Sequence, residues 1–312
     1  MRNLQRQLIT LTELQETWGF NASKQFIERF ESIDLSYRVL SQSESQNMIL
    51  QIMHALEKTI EEVGPHRQII WERGWAENLK EFHALKKIES LVPKYFNKFP
   101  VIRWKQQFIE PNSGTMEQDA LSLIIQWLIE EYAHSCSGIY EFGCGTGNNL
   151  IKIRNFNSGM ELYGLDWVTS SQDLIKLIAQ NTEDSKLHSA HFNYFEPDTE
   201  FEIQENSAVL TVASLEQTGG DFGGFIHYLL AQRPKVVIHI EPMWDSLNAE
   251  NLLDYLSIKY MKKRNYLNGL QQYISELVRN KQIEILVNKR SYLGSFYIDG
   301  YSVLVWKPIN LS

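Results

Sequence analysis

From residue 118 onward, short apolar runs alternate with runs of helical period, and this alternation constrains the fold more than any other feature. The apolar runs fall at 138–142, 160–166, 189–194, 207–213 and 235–240, the third being the weakest. Near-continuous apolar runs of this length read as strands buried on both faces. Helical stretches separate them, notably 169–181 and 222–232, and Leu121, Ile124, Ile125, Leu128 and Tyr132 mark a helix ahead of the first strand. Strands that alternate with helices predict a parallel sheet covered on both sides. The last two runs, 283–287 and 301–306, leave no room for a crossover helix, and Gly294 and Asp299-Gly300 between them suit turns. That pattern predicts an antiparallel hairpin added to the sheet. The expected fold class is therefore α/β: a Rossmann-like doubly wound sheet, mostly parallel, with a C-terminal antiparallel hairpin and an N-terminal helical region.

Residues 1–92 read as helical. Leu4, Leu8, Leu11, Leu14 and Trp18 recur at helical spacing, Gly19 stops that run, and Asn21 can cap a second one carrying Phe26, Ile27 and Phe30. A third run, from Met48 to Ile60, ends at Gly64-Pro65, and a fourth carries Ile70, Trp71, Leu79, Phe82, Leu85 and Ile88 before Pro93. Residues 93–117, punctuated by Pro93, Pro100, Pro111 and Gly114, read as a linker with little regular structure. This linker is rich in aromatic and basic residues, among them Tyr95, Phe96, Phe99, Arg103, Trp104 and Phe108. Two readings stand level: they line a site entrance, or they glue the helical part to the next domain. The chain thus divides into a helical cap and linker, 1–117, and an α/β domain, 118–312.

Charge and cysteine content limit the function classes. The formal net charge is −8, and the densest basic cluster, Lys259, Lys262, Lys263 and Arg264, lies on an expected helix. Nucleic-acid binders carry a basic excess, so a nucleic-acid substrate is disfavoured. Two cysteines, Cys136 and Cys144, make no disulfide framework. No apolar run approaches the roughly 18 residues that span a bilayer, and the first residues lack an apolar signal core. The expectation is a soluble, cytoplasmic protein with no membrane partner.

The chemistry-bearing motif is Glu141-Phe142-Gly143-Cys144-Gly145-Thr146-Gly147, which follows a strand and opens a helix. Glycines allow a sharp turn and close approach of a ligand to the backbone, and the helix start offers unpaired N–H groups. Dinucleotide enzymes use G-x-G-x-x-G, which would need glycine at 148, where this chain has Asn148. The Lys-Ser/Thr pair of a P-loop is also absent.

The motif resembles the first motif of class I S-adenosylmethionine (SAM)-dependent methyltransferases, acidic-x-Gly-x-Gly-x-Gly, and the resemblance covers about residues 118–307. It implies a SAM site that includes Glu141, Gly143, Cys144, Gly145 and Gly147. It also implies that Asp166, ending the second strand, receives the ribose hydroxyls, and that Trp167 stacks on adenine. Asn193, beside Tyr194, stands where the family often has an aspartate that reads the adenine amino group. Ala213 and Ser214 follow strand four, where the family lines the methyl-transfer site. The terminal hairpin resembles the family's antiparallel strands six and seven. The Asn-Pro-Pro-Tyr type motif of base-modifying amino methyltransferases is missing after strand four, which again speaks for a small-molecule acceptor.

Glu216 and Glu241 follow strands four and five, which are neighbours in the family's sheet, and both are expected to frame the acceptor pocket as base or binding group. The bland alternative for each is a surface carboxylate or a helix-start cap. His239, inside strand five, reads as a hydrogen-bonded core histidine. His188 and His191 lack the companions of a metal site, so no metal is expected. Two other functions are weighed against the methyltransferase: an NAD(P)-dependent oxidoreductase, opposed by Asn148 and the hairpin, and an inactive methyltransferase fold used as a binding module, opposed by the intact glycines and Asp166. Whether the N-terminal helices form a lid or a homodimer interface stays open at this level, as do the acceptor's identity and the methylated atom.

Overall fold

The computed structural model describes residues 6–309. In chain order its elements are β1 (Gln7–Leu8), α1 (Leu11–Trp18), α2 (Lys24–Glu31), β2 (Ser36–Val39), α3 (Gln42–Glu57), α4 (Gln68–Leu85), β3 (Ile102–Trp104), β4 (Gln107–Pro111) and α5 (Met116–Leu128). The α/β part follows with β5 (Gly138–Phe142), α6 (Asn148–Phe156), β6 (Glu161–Asp166), α7 (Thr169–Thr182), β7 (Leu187–His191), β8 (Ala208–Val212), α8 (Gly223–Gln232) and β9 (Val236–Glu241). The chain ends with α9 (Leu252–Arg264), α10 (Leu270–Arg279), β10 (Ile283–Lys289), β11 (Leu293–Gly294) and β12 (Ser302–Pro308). No helix among the described residues is long and apolar enough to cross a membrane.

The main sheet has seven strands in the order β10-β12-β9-β8-β5-β6-β7. The five strands from β9 to β7 are parallel, and β12 is antiparallel to both β9 and β10. This is the Rossmann-like α/β fold that the alternating pattern predicts, hairpin included. It works because the central strands are buried along their whole length: every residue of β5, β8 and β9 is buried. Helices on both faces are needed to keep such strands from water. The neighbouring positions of β8 and β9 also match what the methyltransferase resemblance implies.

The N-terminal third is less purely helical than its periodicity predicts. Capping explains the helices that do form. Thr10, Ser23 and Ser41 side chains accept the N–H groups of Glu13, Phe26 and Glu44, and Glu44 returns the bond to Ser41 in a capping box. Gly19, in the left-handed conformation, stops α1. Leu4 lies outside the described residues, while Leu8 belongs to β1 and Ile60 falls beyond the end of α3.

The larger correction concerns residues 93–117, which hold β3 and β4. These join β1, β2 and β11 in a second, antiparallel sheet of order β1-β2-β4-β3-β11. Trp104 pairs with Gln107, so Lys105-Gln106 is a two-residue hairpin loop, with φ of 46° and 59°. Two successive positive φ values are the geometry for which Asn-Gly is the usual sequence sign. Lys-Gln carries no such sign, and the strands are only three and five residues long. β11 comes from the loop of the C-terminal hairpin, so this sheet draws strands from both ends of the chain.

The two parts also share a core. Trp18 of α1 stacks on Trp127 of α5 with centroids 5.8 Å apart, and Phe20 packs against both Trp127 and Phe26. α5 is buried on almost every side because it lies between the N-terminal helices and the main sheet.

Candidate functional site: a cavity over the glycine loop

At the carboxyl end of β5 the backbone turns through Gly143, Gly145 and Gly147, with φ of 67°, 56° and 74°. Side-chain-bearing residues rarely adopt this region. At Gly145 a second requirement applies, because a Cβ there would come within 3.0 Å of the Trp75 ring. Gly147 then caps α6, whose first N–H groups face the loop.

A cavity of about 80 Å³ lies over this loop. Its floor is formed by Gly143 to Thr146, Asn148 and Asn149, with Asp166 and Trp167 at the end of β6 and Val212, Ala213 and Ser214 at the end of β8. Its cover is aromatic: Trp71 and Trp75 from α4, Tyr95 and Phe96 from the linker, Phe192, Tyr194 and Phe195 after β7, and Tyr301. Trp71 stacks on Trp75 at 5.3 Å, and Trp167 lies 5.5 Å from Phe195. The mostly apolar lining with a few convergent polar groups suits a small organic ligand, and the aromatic cover must part to admit one.

α4 is fixed over the cavity by polar contacts to the start of α7. Gln68 Nε2 donates to the Trp167 carbonyl at 3.0 Å. The Glu72 carboxylate accepts the Ser170 N–H at 3.2 Å, and Ser170 Oγ donates to the Glu72 carbonyl at 3.0 Å. A carboxylate at a helix N-terminus is stabilised by the helix dipole and its free N–H groups. Thr146 Oγ1 likewise ties the glycine loop to the Leu91 carbonyl at 2.5 Å.

Asp166 ends β6 with its carboxylate against the loop. Its Oδ2 accepts the Gly145 N–H at 2.9 Å and its Oδ1 the Val168 N–H at 3.2 Å. Burial pushes its pKa up to about 6 against these bonds. Each carboxylate oxygen has a second lone-pair site, so Asp166 keeps acceptor capacity toward the cavity it lines. Glu141, in β5, is buried too. Its Oε1 takes the Asn149 amide at 2.8 Å, while Oε2 has no partner, and burial raises its pKa to about 8.

The two carboxylates expected at the acceptor pocket behave differently. Glu241 accepts the N–H groups of Ser214, Leu215 and Glu216 at 3.0 to 3.3 Å. It caps the short turn 215–218 and is absent from the cavity wall, so the helix-cap reading describes it. Glu216 is also off the wall, but its neighbour Gln217 is on it, and Gln217 Nε2 donates to Glu216 Oε1 at 3.0 Å. Burial, reinforced by the nearby Glu241, holds the Glu216 carboxyl well above the ordinary range.

Of the other expected site residues, Gly143, Cys144, Gly145, Asp166, Trp167, Tyr194, Ala213 and Ser214 line the cavity together. Tyr194 and Ser214 share a hydrogen bond of 3.0 Å, and Ser214 Oγ donates to the Phe142 carbonyl. Ala213 holds a left-handed φ of 45°, a strained conformation of the kind found at binding sites. Asn193 does not reach the wall, because its Oδ1 accepts the N–H of Phe195 in a local turn. Gly147 and Glu141 lie behind it. His239 bonds Thr211 at 2.9 Å inside the sheet, as a core histidine should, and burial pushes its pKa down to about 3. No cluster of metal-ligating side chains occurs among the described residues.

Sequence reasoning passed over Trp71, Trp75, Gln217 and Tyr301. The i, i+4 spacing of the two tryptophans reads as an ordinary core face, and nothing local shows that α4 lies over a loop seventy residues away. For the linker aromatics both readings hold, each for different residues. Tyr95 and Phe96 line the cavity, whereas Phe99 and Phe108 pack on Phe296 as glue.

No family model matches the chain, and no curated protein matches it. Among solved structures it is similar to magnesium protoporphyrin IX methyltransferase from Synechocystis PCC 6803 with bound SAM, at 15% identity and a TM-score of 0.42, over 61% of this chain and 78% of that one. It is similar to the plantazolicin methyltransferase BpumL in complex with S-adenosylhomocysteine (SAH), at 11% identity and 0.43, over 83% and 99%. A third likeness, to PigF with SAH, has 10% identity and a TM-score of 0.46, over 84% and 69%.

Proposed function

We propose that this chain is a SAM-dependent methyltransferase that acts on a small-molecule acceptor. The observation that carries the reading is the cavity built on the Gly143–Gly147 loop, with Asp166 beside it and an aromatic cover over it. The residues present suit the cofactor. Asp166 offers spare carboxylate lone pairs for ribose hydroxyls, and Trp167 with Phe195 offers aromatic faces for adenine. The unpartnered Glu141 Oε2 is a buried acceptor left for a cationic group nearby.

SAM, when bound, supplies a methyl group already activated by its sulfonium. The protein's work is then to align the acceptor, exclude water and hold the proton that leaves it. α4, pinned to α7 through Glu72, excludes water from above, and Gln217 and Tyr301 present polar atoms at the cavity wall. Residues 1–117 act in this reading as the cap that selects the acceptor. Glu216 acts on the acceptor through Gln217, whose amide it orients.

Calorimetry tests the reading: SAM and SAH should bind the full chain, and NAD should not. Asp166→Ala removes charge-assisted hydrogen bonds and should weaken SAM by roughly 1.5–3 kcal/mol. Unchanged SAM affinity in that variant would refute the ribose assignment, and binding of NAD in place of SAM would refute the function.

A further inference from the structure

Resting on the methyltransferase reading, we infer that the acceptor is an amine carried on a flat apolar body, recognised by the side-chain oxygens of Gln217 and Tyr301 inside an aromatic, acid-surrounded cavity. Three independent features point there.

The first is the orientation of the two polar side chains. Glu216 accepts from Gln217 Nε2, so the amide is turned with its Oε1 away from the carboxylate. Oε1 is buried and has no partner. Tyr301 O–H donates to Glu117 Oε1 at 2.9 Å, which spends its one proton and leaves the phenol oxygen an acceptor. Both residues line the cavity. Two fixed acceptors call for a ligand group with several N–H donors, which an ammonium or amine has and an ether, ketone or carboxylate lacks.

The second is charge. The cavity wall carries no Lys, Arg or His among the described residues, and Asp166 is its one carboxylate. Behind the wall stand the carboxyls of Glu117, Glu141, Glu216 and Glu241, all raised above the ordinary range by burial, and no cation stands on the wall to balance an anion. Arg67 pairs with Glu61 at 2.5 Å and Arg264 donates to the Glu61 carbonyl; both also act on the Glu216 carboxyl, and neither lines the cavity. An anionic acceptor would enter this field unpaired.

The third is the surface offered to the ligand body. Trp71, Trp75, Tyr95 and Phe96 present aromatic faces, which attract both flat apolar groups and cations.

The charge balance of the reaction agrees. The amine nitrogen, entering as the free base after its ammonium has lost one proton to solvent, donates its lone pair to the methyl carbon. The carbon–sulfur bond breaks with its electron pair on sulfur, giving neutral SAH. The positive charge therefore passes from sulfur to nitrogen and stays in the aromatic cavity. A phenolate acceptor would instead bring an anion to a wall that carries no cation.

The test uses the full chain saturated with SAH and four probes of one shape: phenethylamine, 2-phenylethanol, 4-ethylphenol and 3-phenylpropionate. Binding is read from tryptophan fluorescence, with Trp71 and Trp75 as reporters. Phenethylamine should bind about tenfold or more tighter than any of the other three. Gln217→Leu, which keeps the volume and removes the acceptor, should erase most of that preference, and Tyr301→Phe should reduce it. Methyl transfer from labelled SAM to phenethylamine should exceed transfer to 4-ethylphenol. If SAH binds but the phenol, the alcohol or the carboxylate binds as well as the amine, the amine inference is overturned while the methyltransferase reading stands. If SAH itself does not bind, the methyltransferase reading fails, and this inference with it.

Discussion

Glu141 shows how a single buried residue ties cofactor binding to pH. Its carboxyl has an ordinary value of 4.5 and stands near 8 in the fold, because burial strips it of water and one oxygen lacks a partner. The folded chain therefore holds this proton more tightly than the unfolded chain. Its contribution to stability is complete below the ordinary value and is lost as pH rises through about 8. His239 works in the opposite sense, since burial lowers it to about 3, but that effect is finished above its ordinary value of 6.5. Between pH 6.5 and 8 the ligand-free protein should thus lose thermal stability, and Glu141→Gln should flatten the slope. A melting series over that window checks it; an equal slope in the variant would show that Glu141 is not the group responsible. A cation at the site lowers the same pKa, so SAM binding near pH 7.5 should release protons. Calorimetry in buffers of different ionisation enthalpy measures this release.

At the scale of elements, α4 is the piece that turns an open α/β edge into a closed cavity. Its tryptophans cover the glycine loop, and its Glu72, bonded to Ser170 at the start of α7, holds it there. Glu72→Gln keeps the shape and removes the charge at the helix N-terminus, a loss of about 0.3–1 kcal/mol. If α4 must lift for the cofactor to leave, SAH should dissociate roughly two- to fivefold faster from this variant. Stopped-flow tryptophan fluorescence reads the rate directly. An unchanged rate would mean that the cofactor passes by another route and that Glu72 serves stability alone.

For the whole molecule, the N-terminal third is part of the body of the protein. Removing residues 1–92 would uncover Trp127 where Trp18 stacks on it, and would leave β4 without its partner β2. It would also take away the Arg29 guanidinium that donates to Ser122 and Gln126 of buried α5. Such a truncation should lose its cooperative melting transition and its near-ultraviolet dichroism, which report fixed packing. A truncated chain that still melts cooperatively and binds SAM would show that the α/β part stands alone and that the first third only selects the acceptor.

The sequence by itself determined the parts whose signals are local. The apolar runs of β5, β8 and β9 and the absence of a crossover before β12 specify a mainly parallel sheet with an antiparallel hairpin, because burial on both faces demands such runs. The glycine spacing and Asp166 mark the loop, because only certain residues tolerate its backbone. The tertiary structure decided what depends on partners far away in the chain. Lys105-Gln106 makes a hairpin turn without any turn-forming residue because β2 and β11 flank its strands. Trp71 and Trp75 become cavity walls because α4 is docked on α7. Glu241 becomes a cap and Gln217 a buried, unpartnered acceptor because the backbone after β8 folds back over the end of β9. The two glutamates look alike in position along the chain. Which one meets backbone N–H groups and which one orients an amide is set by the path of that turn, and no local pattern encodes it.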